Sequence, residues 1–104
     1  MAEGVVTEVA DGIATIRFER PPMNALSIAL QEGLRDAARD VAGRRDVDAV
    51  VVYGGPKVFA AGADVKEMAE WSLSEALERT RSLQDAFTAI ERIPQPTIAA
   101  VTGF

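Results

Sequence analysis

The chain has 104 residues, a net charge of −5, no cysteine and no histidine. Disulfides, cysteine-ligated zinc, a Ser-His-Asp triad, a Cys-His pair and a histidine-held metal are therefore excluded within these residues, and a general base must be Asp, Glu, Lys or Tyr. The acidic balance argues against non-specific nucleic-acid binding, yet a few local cations and backbone donors can still hold a polyanionic cofactor.

With 48% hydrophobic and 26% charged residues, the composition fits one small globular domain. The start, MAEGVVTEVADG, carries acids and no basic leader, and no apolar run reaches the length of a membrane span. A cytoplasmic protein with no membrane or nucleic-acid partner is the expectation.

Val5 to Val9 and Ile13 to Phe18 are rich in β-branched and aromatic residues, and Asp11-Gly12 between them predicts a hairpin turn. Ala14, Ile16 and Phe18 would share one face, and Ile13, Thr15 and Arg17 the other. Arg20-Pro21-Pro22 ends the second strand, since proline offers no N–H to a ladder. Asn24 to Val41 reads as a helix whose stripe is Leu26, Leu30, Leu34, Ala37, Ala38 and Val41. Asn24 or Ser27 is the candidate cap, and Gly43 is placed to end the helix in a left-handed conformation.

Asp48 to Tyr53 is a short apolar run that suits a strand buried on both faces of a parallel or mixed sheet. Gly54-Gly55-Pro56 stops it. A second long helix is expected from Leu73 to Arg92, opened by a Ser72/Glu75 capping box, and Thr97 to Val101 is a further buried-strand candidate. Strand, strand, helix, strand, loop, helix, strand is an α/β order.

The stretch from Val58 to Met68, VFAAGADVKEM, follows a strand end, where open α/β sheets form ligand crevices. Ala60, Ala61, Gly62 and Ala63 let a ligand approach the backbone, and Gly62 can take positive φ. Asp64 and Glu67 have capping-box spacing, so a helix is expected from about Val65 to Trp71. Its free N–H groups can face a bound oxygen or phosphate. The same pattern also suits a tightly packed loop with no ligand, and the two carboxylates could be a catalytic pair instead of a cap and its partner.

Phe59 to Met68 (FAAGADVKEM) resembles the small-residue first signature of the crotonase, or enoyl-CoA hydratase/isomerase, superfamily. Arg20 to Leu26 (RPPMNAL) is similar to that family's segment before its first long helix, and Ile93 to Phe104 (IPQPTIAAVTGF) to the strand leading into its second glycine-rich signature. The resemblance implies an α/β fold, a crotonase-like spiral of ββα units, of which residues 1–104 are the amino-terminal portion of a single domain.

The resemblance further implies that the backbone N–H of Ala63 is one of two oxyanion donors to a thioester carbonyl. It places Ala61 and Val65 at the backbone positions that contact adenine, with Asp64 and Lys66 beside them. Arg20 is the candidate for a coenzyme A phosphate, and Lys57 and Lys66 are weaker ones. Pro22 departs from the family, which often has a lysine in this region. Trp71, Leu83 and Phe87 are expected as core or acyl-pocket wall. The implied partner is an acyl-CoA thioester, with no cofactor beyond the coenzyme A of the substrate, and a homotrimer or hexamer in full-length form. The implied reaction is enoyl-CoA hydration. The alternatives are isomerisation or another crotonase reaction, or non-catalytic acyl-CoA binding. The family's catalytic glutamates and second donor lie after the second signature, so these 104 residues alone are expected to be inactive.

Overall fold

The computed structural model describes residues 4–104; part of the acidic start noted above lies outside them. In chain order the elements are β1 (Val5–Ala10), β2 (Ile13–Phe18), α1 (Ile28–Ala42), β3 (Ala49–Tyr53), α2 (Val65–Met68), α3 (Leu73–Glu91) and β4 (Thr97–Ala100). The strands form one sheet in the order β1-β2-β3-β4. β1 and β2 are an antiparallel hairpin; β3 pairs parallel with β2, and β4 with β3. Asp11 and Gly12 both take positive φ, at 52° and 80°, the twist a tight hairpin requires.

Alternation in β2 decides which face is covered. Ala14, Ile16 and Phe18 are buried with Val50 and Val52 of β3 beneath Leu30, Leu34, Ala38 and Val41 of α1. Burying each of the larger side chains contributes about 1.5–3 kcal/mol. Leu83, Ala89 and Ile90 bring α3 onto the same cluster. The loop after α3 is tied to α1 by Gln95, whose side-chain N–H donates to the Val41 carbonyl at 2.9 Å. Among the described residues no helix is long and apolar enough to cross a membrane.

Four expectations need correction. First, α1 starts after Ser27, whose hydroxyl accepts from the Leu30 N–H at 3.2 Å, so Asn24 is neither helical nor the cap. Asn24 instead has φ 53°, a conformation that no right-handed helix contains. Second, Gly43 ends α1 at φ −90° and not in the left-handed region. The last turn tightens, with Gly43 and Arg44 N–H groups donating three residues back to Asp40 and Val41.

Third, α2 stops at Met68 and does not extend to Trp71. Fourth, neither candidate buried strand is buried on both faces. β3 alternates buried and half-buried residues, and β4 is exposed at Thr97, Ile98 and Ala99. A continuous apolar run signals two faces that avoid water, and among the described residues only one face of this sheet carries helices.

Candidate functional site

The site is built where the chain leaves β3 and meets the segment before α1. At Gly54 a Cβ would collide with the Phe59 carbonyl, so only glycine allows the backbones of residues 54 and 59 to approach as they do. Asn24 lies against this contact, 4% exposed. Its side-chain NH₂ donates to the carbonyls of Gly54 at 2.7 Å and Phe59 at 3.0 Å, with Val58 at 3.3 Å. Its Oδ1 accepts from the Arg20 N–H at 3.0 Å. These contacts tie the Pro-Pro segment to the loop after β3.

The next residues are held by backbone alone. The Ala61 N–H donates to Met23 at 3.0 Å and the Leu26 N–H to Gly62 at 2.8 Å, making an isolated parallel bridge between Leu26 and Ala63. Gly62 has φ 107°, as its position in the small-residue run suggests. Ala63 is exposed, and among the described residues no acceptor takes its N–H. A donor held by the bridge to Leu26 but lacking a partner is free for an oxygen brought by a ligand.

Asp64 follows and caps α2. Its Oδ1 accepts from the Glu67 N–H at 3.2 Å, and its Oδ2 lies 2.9 Å from the Arg20 guanidinium. The Glu67 N–H first, and the Arg20 hydrogen bond second, hold the Asp64 carboxyl below the usual carboxylate range. Arg20 also donates to the Ala25 carbonyl at 2.9 Å. Glu67 does not complete a capping box with Asp64; its carboxylate accepts instead from the Ile28 N–H at 3.0 Å, the first N–H of α1. The two helix starts are thereby joined through one carboxylate. Both acids have structural partners, and no shared catalytic pairing is formed between them.

Arg20, Asp64, Val65 and Lys66 line one groove of about 350 Å³ with Pro21, Pro22, Met23 and Ala25. Four of the expected coenzyme A residues are therefore brought together. Ala61 and Ala63 lie outside the lining of this groove, on the adjoining backbone, and Lys57 lines a neighbouring groove of about 410 Å³. On the other side of the loop an apolar cavity of about 580 Å³ reaches Ala60 and Gly62, walled by Phe18, Val52, Phe59, Phe87 and Ile90. Phe18 and Phe59 meet edge to face at 5.2 Å. Phe87 is thus a cavity wall, Leu83 packs on the core, and Trp71 lies under Arg79 at 5.3 Å. Asn24 and Gly54 are the organising residues that sequence reasoning missed. Asparagine after a Pro-Pro turn is the available signal, because it tolerates positive φ.

Residues 8–104 match the model of the family described as enoyl-CoA hydratase/isomerase. A protein of Mycobacterium tuberculosis described as a probable enoyl-CoA hydratase is 40% identical over 93 residues, covering 89% of this chain and 36% of that protein. A Mycobacterium leprae protein with the same description is 35% identical over 102 residues, covering 94% of this chain and 39% of the relative. The structure superposes on an enoyl-CoA hydratase/carnithine racemase of Magnetospirillum magneticum with a TM-score of 0.92 at 30% identity, over 97% of this chain and 39% of that one. For Bacillus anthracis enoyl-CoA hydratase the TM-score is 0.90 at 29% identity, over 97% and 40%. The chain thus spans about two fifths or less of the length of these proteins.

Proposed function

The chain belongs to the enoyl-CoA hydratase/isomerase family, and we propose that it forms the amino-terminal part of a catalytic domain that adds water across the 2,3-double bond of an enoyl-CoA thioester. The observation that carries this reading is the Ala63 N–H, fixed by the bridge to Leu26 and without an acceptor among the described residues. When hydroxide equivalent adds at C3, the π electrons move onto the thioester oxygen. A preorganised N–H at that oxygen stabilises the developing enolate without reorganisation. Protonation at C2 then returns the electrons and completes the addition.

The Arg20–Asp64–Lys66 groove supports a role for that region in holding the coenzyme A moiety; by family analogy the backbone of Val65 in the groove and of Ala61 beside it meets the adenine. Arg20 already shares its charge with Asp64, so Lys66 is the freer cation for a phosphate. No cofactor beyond the substrate's own coenzyme A is invoked. By family analogy the acid and base carboxylates and the second oxyanion donor come from outside residues 1–104. The 104-residue polypeptide alone is then inactive, and the full-length protein is a cytoplasmic homotrimer or hexamer.

The test is Ala63→Pro in the full-length protein, which deletes the donor. Hydration of crotonyl-CoA should fall on the order of a hundredfold or more, with the fold intact by circular dichroism. Asp64→Asn keeps the cap and should retain most activity. Near-normal turnover by a folded Ala63→Pro enzyme would remove the oxyanion role.

A further inference from the structure

We propose that Asn24 is a positioning residue for the loop that presents the Ala63 N–H; the catalytic part of this inference rests on the function proposed above. Two features of Asn24 go together. Its φ of 53° turns the chain so that Ala25 and Leu26 run alongside Gly62 and Ala63. Its NH₂ has two hydrogens for three carbonyls, those of Gly54, Val58 and Phe59, and is buried among them.

Those carbonyls lie at the end of β3 and on the two residues just before the small-residue loop. The bridge hydrogen bonds of Met23 and Leu26 hold its next part, one on each side of Asn24's own peptide. One side chain thus couples the strand end to the backbone that must place a donor to within a fraction of an ångström. The small residues at 60–63 have no side chains large enough to anchor the loop themselves. Glycine can adopt the same φ but has no amide, whereas alanine would lose both properties.

The experiment uses Asn24→Gly in the full-length protein, with two readouts. Amide hydrogen exchange without ligand should rise at Phe59 and Ala61, whose N–H groups donate to Phe104 and Met23, and stay unchanged in β1 and β2. The kcat for crotonyl-CoA should fall between about tenfold and a hundredfold while KM changes little, as expected for a misplaced transition-state donor. Unchanged exchange at Phe59 and Ala61, or an equal rise throughout β1 and β2, overturns the proposal. The exchange result is independent of catalysis, and Ala63→Pro separately tests whether the donor matters, so the two ideas fail in distinguishable ways. Should Asn24→Gly not fold, Asn24→Asp supplies a second test. A protonated carboxyl is a donor to the carbonyls and a carboxylate is not, so loop protection should be lost as pH rises through its titration. A profile parallel to wild type would also overturn the proposal.

Discussion

The two long helices carry the same kind of sequence signal and meet different fates. α1 buries Leu30, Leu34, Ala38 and Val41 completely or nearly so within the core cluster. α3 also follows an apolar period, a weaker one, yet Ala86 is its one fully buried residue among those described. Leu73 is 80% and Leu77 67% exposed, and Ile98 on β4 is 61% exposed. Periodicity therefore reports that a face exists; whether the face is covered depends on what packs there. In α1 the hairpin on one side and α3 on the other supply the cover, whereas α3 has only the flank of α1 and the edge of the core cluster.

Paired truncations put this difference to the test. Leu34→Ala removes a side chain that is 1% exposed and should destabilise by about 2–5 kcal/mol. Leu77→Ala, the same chemistry on α3, should change the stability of the 104-residue polypeptide by less than about 0.5 kcal/mol. Urea unfolding of both variants measures the contrast, and equal losses would break it.

The caps offer a finer version. Ser27 caps α1 from a buried position, and Ser72 caps α3 from an exposed one. Ser27→Ala leaves a buried Leu30 N–H without its acceptor and should cost about 1–2 kcal/mol. At Ser72 water can replace the hydroxyl, so Ser72→Ala should cost about 0.5 kcal/mol. Reversal of this order in thermal melts would show that α3 is the more tightly held helix.

The smallest expected effect is electrostatic. Because the folded-state pKa of Asp64 is lowered, its cap and its pairing with Arg20 contribute stability above the ordinary carboxylate range. That contribution is lost as pH falls through the lowered value, and Asp64→Asn should remove this part of the acid dependence. A pH–stability profile that is unchanged in the variant would show that the ion pair is too solvated to matter.

Local chemistry was enough for much of this structure. Asp11-Gly12 specified the hairpin, because two consecutive positive φ values suit few other pairs. The capping box at Ser72 and Glu75 opened α3 where expected. The small residues from Ala60 to Ala63, with Asp64 as cap, marked the candidate site, and their likeness to a known signature marked the family. In all of these the decisive interactions lie within a few residues along the chain.

Tertiary structure decided the rest. Asn24 looks like the first residue of a helix until Gly54, Val58 and Phe59, more than 30 positions away, present their carbonyls to it. Glu67 has the spacing of a reciprocal cap, but the Ile28 N–H comes within reach and takes the carboxylate. Arg20 is a free cation in the sequence and a partner of Asp64 in space. A polar side chain settles on the strongest unsatisfied group that folding brings near it, and sequence spacing reveals such a group only when it lies on the same turn.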